Sequence, residues 1–513
     1  MEKEYAVIVK KGIDLEEFDA EMAASQGHGP VPSRSIDIAN PRLGSKRMTH
    51  WMITDEEAAA LRNDPRVEAV EIPPYLRDDL TIRLRASQTG NFVRGTSTNE
   101  DVNWGLRRSI GTTNVFSNQT TIAGDYDYAL DGAGVDIVIQ DSGLQVDHPE
   151  FAGRVQQIDW YTASGLAGTQ SANHYRDYDG HGTHCAGIAA GATYGWAKGA
   201  HIYSQKLSGL EGPGDSGTGI PVADAFDTIR LWHNQKTNGR PTVVNMSWGY
   251  FQSQLNDPSG GVYRGASWTL GDPNFVTNND LWTSAGIVPY FSVNGSLVRF
   301  IPATNVFANT EVDDMIDAGI HVCIASGNDY YKLDVFGGVD YNNYATFDGT
   351  DVYYHQPGSP YSTRAFYVGN IDSAVQDDAG TYKDKTAGSS NKGPAVNIWA
   401  PGTDIMSACS TTNDFAADEQ AYPANNSFKC MSIGGTSMAA PQVAGVCALH
   451  LQVNSTYTPQ QLLDKVINDS TDVMYDTGLT NDYAAYTTSI MDSPNRALYS
   501  RYGRQPMRYK NII

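Results

Sequence analysis

The sequence predicts an α/β protein: a doubly wound, mostly parallel sheet preceded by a small ferredoxin-like α+β domain. Three observations predict it. From VDIVIQ (135–140) onward, near-continuous apolar strands alternate with helical patterns, as in a parallel sheet covered on both faces. Residues 1–76 instead give the order β-α-β-β-α-β. Hydrophobic residues make up 40% of the 513, enough for a sizeable core over a length that predicts more than one domain.

EYAVIVK (4–10) reads as a strand, and 14–25 as a short helix with Leu15, Phe18 and Met22 on one face. A weaker strand is predicted at 33–39. MTHWMI (48–53) is a strand running into Thr54-Asp55-Glu56-Glu57, where Thr54 and Glu57 form a capping-box start. Pro65 closes that helix, and RVEAVEI (66–72) is the last strand before Pro73-Pro74. Residues 77–102 lack periodicity, carry Arg77, Arg83, Arg85 and Arg94, and read as an exposed linker with a processing site. The large domain, 103–513, has predicted strands at 135–140, 201–207, 242–248, 321–326, 365–371 and 396–400. Its predicted helices are 222–234, 311–318, 437–453 and 458–468. Two stretches rich in Gly, Asn, Asp, Tyr and Pro, 250–305 and 329–362, break the alternation and read as long surface insertions.

With 58 acidic against 36 basic residues the net charge is −22, which argues against nucleic acid or an anionic membrane surface as a partner. No apolar run is long enough to span a bilayer. The short apolar stretch near Met1 has neither the length nor the cleavage site of a signal peptide, so an intracellular or virion-associated location is expected. Five cysteines, few and odd in number, fit a reduced compartment better than a disulfide scaffold. The run GPGDSGTG (212–219) lacks the Lys-Ser/Thr of a phosphate loop.

Chemistry concentrates in three segments at predicted strand ends and helix starts, where open α/β sheets build their sites. Asp141-Ser142-Gly143 puts a carboxylate at the end of a strand; a plain turn is the bland alternative. His181-Gly182-Thr183-His184-Cys185-Ala186-Gly187 offers one working histidine, His181, with His184 as a packed, hydrogen-bonded neighbour. No third-ligand pattern accompanies the two histidines, so no metal site is assigned. Cys185 reads as a small buried hydrophobe, with a cysteine nucleophile as the other option. Gly434-Gly435-Thr436-Ser437-Met438-Ala439-Ala440-Pro441 places Ser437 at a helix N-terminus, where free N–H groups favour a developing oxyanion; an N-cap serine is the alternative.

Taken together, in this order, DSG, HGTHCAG and GTSMAAP resemble the subtilisin-like serine proteases (subtilases). The resemblance covers most of 103–500 and takes in NWGL (103–106), VVNMSWG (243–249), ASGN (325–328), WAPGTDI (399–405) and SPNRALYS (493–500). HGTHCAG followed by TYGWAK (193–198) is similar to the proteinase K branch, and residues 1–76 resemble the family's inhibitory propeptide. The resemblance implies a zymogen of a broad-specificity endopeptidase acting on polypeptide substrates, with its own propeptide as intramolecular inhibitor. It implies Ser437 as nucleophile, His181 as general base and Asp141 as the group that orients the imidazole. Asn328 would join the Ser437 N–H in an oxyanion hole, Ser247, Trp248 and Gly249 would bind substrate backbone, and Asp329 would border the P1 pocket on its solvated rim.

Departures from the family limit the metal expectation. The calcium-carrying insertion after HGTHCAG is missing, Asn397 replaces an aspartate ligand, and Glu150 stands where relatives carry a calcium-binding aspartate. No cofactor is required, and calcium is left without an assigned site. Cys409 and Cys430 flank an inserted loop and are expected either to bridge, if antiparallel strands bring them together, or to stay as two buried thiols. An alternative to catalysis is a latent or non-catalytic component docked in a larger assembly, such as a virus particle.

Overall fold

A computed structural model describes residues 2–513 except 25–27, 42–44, 74–75, 77–85, 96–97, 294, 416–417, 479–488 and 505–513. The chain divides into two compact units, Met1–Arg83 and Leu84–Ile513. In the first, strands Lys3–Val9, Ile38–Asn40, Met48–Ile53 and Val67–Glu71 and helices Leu15–Ala23 and Asp55–Leu61 follow one another as β-α-β-β-α-β. Lys3–Val9 lies at the centre, antiparallel to both Met48–Ile53 and Val67–Glu71, with Ile38–Asn40 on the far edge. The module has its own core of Val7, Val9, Phe18, Met22, Trp51 and Leu61. Thr54 and Glu57 close a reciprocal capping box, so two of the helix's orphan N–H groups are satisfied locally.

The second unit is built on an eight-stranded sheet. From one edge it runs Thr381–Thr386, Phe366–Asp378, His321–Ala325, Thr242–Met246, Asp136–Asp141, His201–Lys206 and Val155–Gln156, with Ile398–Pro401 also paired to Phe366–Asp378. All neighbours are parallel except Thr381–Thr386. Every residue of Asp136–Asp141, Thr242–Met246 and His321–Ala325 is buried, so both faces of the sheet are covered. Helix Thr436–Val453 packs on Phe366–Asp378, His321–Ala325 and helix His181–Ala190. After Asp136–Asp141 the chain adds His201–Lys206 on one side and Thr242–Met246 on the other. The order therefore reverses at Asp141, and a crevice opens beyond the carboxyl ends of these strands. No helix among the described residues is long and apolar enough to cross a membrane.

Two sequence expectations change, and one left open is decided. The linker assigned to 77–102 is shorter. Residues Ala86–Val93 pair antiparallel with Thr121–Tyr128 and belong to the second unit, while Arg77, Arg83 and Arg85 lie outside the described residues. Most of this strand's side chains stay at least partly accessible, so no apolar alternation marks it. Its anchors are Phe92 and Arg94; Arg94 is buried, its guanidinium 4.6 Å from the Phe116 ring centroid. The insertions 250–305 and 329–362 are not loose surface loops. Gly260–Tyr263 from the first pairs antiparallel with Tyr344–Phe347 from the second, flanked by Ala266–Thr269 and Thr350–Tyr353. Beneath this shared sheet, buried Asp340 receives Arg264 (2.6 Å) and Lys332 (2.9 Å).

The expectation left open concerns Cys409 and Cys430. Strands Ile405–Cys409 and Lys429–Ile433 are antiparallel neighbours, but Ala408 faces Cys430 and Cys409 faces Lys429. Directly opposed residues share a face, so an offset of one places the two thiols on opposite faces of the sheet. Both are free and buried, as are Cys185, Cys323 and Cys447. Thiol titration in denaturant is expected to give five free thiols; three would mean that this register is wrong.

Candidate active site

Asp141 ends the strand beside the reversal point, and its Oδ1 accepts from His181 Nδ1 at 2.8 Å and from the Ser142 N–H at 2.7 Å. His181 opens helix His181–Ala190. A buried carboxylate sets the spacing between these segments: Asp177 accepts from Ser142 Oγ (2.9 Å), Gly180 N (2.8 Å), Thr183 N (2.8 Å) and Thr183 Oγ1 (2.5 Å). Ser142 Oγ in turn accepts from Gly182 N at 2.8 Å. Gly182 is needed there, because a Cβ would lie 2.2 Å from the Gly143 carbonyl oxygen.

Burial disfavours a charged His181, yet the Asp141 carboxylate outweighs it and holds the imidazole pKa well above the ordinary 6.5. His184 is the packed neighbour expected: its Nε2 reaches the carbonyls of Ile405 and Met431, both at 3.1 Å, and burial pushes its pKa down to about 3. Burial pushes the Cys185 thiol up, which keeps it protonated and argues against a cysteine nucleophile.

Ser437 is the second residue of the 18-residue helix Thr436–Val453. Pro441 lies four residues on and has no N–H, so the Ser437 carbonyl has no donor within its own helix. Ser247 Oγ (2.9 Å) and Cys185 Sγ (3.3 Å) donate to it instead. The Ser437 hydroxyl returns a bond to the Ser247 carbonyl at 3.1 Å, clasping Ser437 to the end of the Thr242–Met246 strand.

Asn328 stands opposite. Its Oδ1 accepts from Thr436 N (2.9 Å) and Thr436 Oγ1 (3.1 Å), which fixes the amide and leaves Nδ2 on the other side as a donor. A cleft of about 220 Å³ runs from Ser437 and Asn328 between Ser247–Gly249 and Ala325–Gly327. The cleft brings together Ser437, Asn328, Ser247, Trp248, Gly249 and Asp329, while Asp141 and His181 form a bonded pair linked to this group through Cys185, whose Sγ lies 3.8 Å from His181 Nδ1 and 3.3 Å from the Ser437 carbonyl oxygen. Asp329 differs from expectation. It lines the cleft half-buried rather than standing on a solvated rim, accepts from Asn391 Nδ2 at 3.2 Å, and burial raises its pKa. Sequence reasoning missed Asp177, Thr436 and Asn391: Thr436 and Asn391 act through partners distant in sequence, and Asp177 ties its own loop and helix to Ser142. Only the Pro441 that follows Ser437 signalled that the serine's carbonyl would need an outside donor.

Both positions compared with calcium ligands are committed to protein hydrogen bonds. Glu150 accepts from Thr193 N, Tyr194 N and Tyr422 Oη, and Asn397 bridges Tyr367 N and the Ala365 carbonyl. Among the described residues, one group of His, Cys, Asp or Glu donors is close enough to share a metal: Asp141, His181 and Cys185. Its two leading members are already bonded to each other.

Residues 132–485 match the model of the Subtilase family. Over 416 residues the chain is 27% identical to the Extracellular serine proteinase of Thermus sp. (strain Rt41A), covering 81% of this chain and 68% of that one. It is 24% identical to Proteinase R of Parengyodontium album over 419 residues, 81% of this chain and 75% of that one. A crystal structure of a cold adapted subtilisin-like serine proteinase aligns with 22% identity and a TM-score of 0.46, covering 77% of this chain and 97% of that one. The Thermus protein's name sits against the intracellular or virion-associated location expected from the sequence.

His181 must be neutral to accept a proton, so a pKa held above 6.5 requires kcat/KM to fall as pH drops through a value above 6.5. Asp141→Asn is expected to lower kcat by about 10,000-fold and to move this acidic limb to lower pH. A wild-type limb at or below pH 6.5, measured with a neutral peptide substrate, would contradict the assignment.

Proposed function

Because the chain belongs to the subtilase family, we propose that Ser437, His181 and Asp141 are the triad of its serine endopeptidase activity, carried by a zymogen of broad specificity. The observation that supports this most is the 2.8 Å His181–Asp141 bond, with Cys185 reaching both His181 and the carbonyl of a serine at a helix start. Ser437 Oγ attacks the scissile carbonyl carbon while His181 takes the hydroxyl proton. The new oxyanion accepts from the Ser437 N–H and Asn328 Nδ2, and Asp141 stabilises the imidazolium. The C–N bond then breaks, and His181 passes its proton to the leaving amine. Water, deprotonated by His181, opens the acyl-enzyme and releases Ser437. Removing one oxyanion donor of this kind typically costs about 100- to 1,000-fold in kcat.

Ser247–Gly249 would hold the substrate backbone edge-on, and Asp329 would tolerate a P1 Lys or Arg beside large apolar side chains. A non-catalytic role is not favoured, since each group that the mechanism needs is present. Labelling with a fluorophosphonate and reading the intact mass tests the nucleophile: one adduct is expected on wild type and none on Ser437→Ala. Peptide hydrolysis by Ser437→Ala within tenfold of wild type would overturn the mechanism.

Residues 1–76 are proposed to act as the inhibitory propeptide, on the strength of the family resemblance and their separate core. Ala86–Val93 is locked into an antiparallel pair, whereas a protease cleft needs a free extended strand. Self-cleavage is therefore expected between residues 77 and 85. N-terminal sequencing that places the mature start after Ala86, or failure of an added 1–76 module to inhibit, would reject this reading.

A further inference from the structure

The cleft's outer wall comes from the first insertion, not from the sheet. Beyond Trp248 the chain continues through Tyr250 and Phe251, and Pro302 lies across from them on the same cleft. Phe251 is 55% exposed, unusual for a large apolar side chain held in a strand. It is nevertheless fixed in place. Its strand Phe251–Gln254 pairs with Ser296–Pro302, and the Tyr250 N–H donates to the Ser359 carbonyl at 2.7 Å. The Phe251 ring meets Phe300 edge-on with centroids 5.1 Å apart; Phe300 stacks on Phe291, and Phe291 stacks on Tyr330 at 5.3 Å. Tyr330 directly follows Asn328 and Asp329, so this aromatic chain links the two sides of the cleft.

We propose that Phe251 is a specificity-determining residue whose exposed ring closes the P1 pocket and selects substrates with a large apolar side chain at P1. The inference rests on the endopeptidase reading, because that reading makes this cleft the place where the acyl-side residue enters. A substrate ring or long aliphatic chain passing Trp248 and Pro302 would cover the exposed face of Phe251, and an alanine side chain would leave it wet. The ring is already ordered by Phe300, so little freedom remains to be lost on binding. Asp329, on the other wall, adds tolerance for a cation without supplying this apolar contact.

The test compares kcat/KM for matched peptides with Phe, Leu and Ala at P1, in wild type and Phe251→Ala. The P1-Phe to P1-Ala ratio is expected to fall by at least about tenfold, mostly through loss on the P1-Phe peptide. An unchanged ratio overturns the inference. Phe251→Leu, which keeps an apolar side chain, carries the test if Phe251→Ala does not fold, with an expected fall of about threefold. A second arm uses a non-cutting background. Fluorescent peptides ending in Phe or Ala are titrated onto Ser437→Ala, processed in trans by wild-type protein to remove residues 1–76, with and without Phe251→Ala, and anisotropy reports affinity. Loss of the Phe preference supports the inference, and its persistence sinks it. If wild-type protein freed of residues 1–76 cuts no peptide, the endopeptidase reading has failed, and the binding arm still decides the role of Phe251.

Discussion

Pro441 removes the amide hydrogen that would ordinarily satisfy the Ser437 carbonyl, and the active centre is organised around that deficit. A buried carbonyl without a donor costs about 1–3 kcal/mol, so the fold must bring one from outside the helix. It brings two, from Ser247 and Cys185. Ser247 ends one of the two strands at the reversal of the sheet order, and Cys185 belongs to the helix that His181 opens. A missing donor in one helix thus registers three segments against one another: those carrying Ser437, His181 and Ser247. The same helix start fixes Asn328 through Thr436, so the proposed oxyanion donors and attacking oxygen are tied to one helix start.

The opposite side of the site is fixed by charge rather than by a missing bond. Asp177 is buried and accepts four hydrogen bonds from the loop and helix around His181 and from Ser142. Those bonds compensate the desolvation of its carboxylate. Asp141 therefore meets an imidazole whose place is already set. The first turn of the His181 helix and the end of the Asp141 strand then behave as one piece, with glycine at the point where their backbones nearly touch.

Chemistry was legible in the sequence where it is local. DSG, HGTHCAG and GTSMAAP each pack a reactive group together with the small residues that let backbones approach. Strands buried on both faces announce themselves as unbroken apolar runs, which is why the central sheet was readable. Thr436 and Asn391 were not, because their work lies in bonds to partners distant in sequence, and Asp177 was not, because an aspartate shortly before a glycine is common in turns and its link to Ser142 spans segments. Ala86–Val93 escaped notice since its side chains are largely polar and accessible. For Cys409 and Cys430, spacing and strand direction were foreseeable, but a register offset of one residue decides between bridge and buried thiols, and the spacing does not set register.

The two insertions meet in one sheet although Gly260 and its partner Thr346 are more than eighty residues apart in the chain. Closing a loop of that length costs chain entropy before any of the contacts that repay it can form. This part of the molecule is therefore expected to assemble late and slowly, after the parallel core has shortened the path between its ends. Neither insertion is a separable appendage. Shortening one strips the other of its strand partner, and with it the Arg264–Asp340 pair that joins them. The aromatic wall beside the nucleophile grows out of this same late-forming region, so a chain can complete its triad before its pocket has acquired a shape.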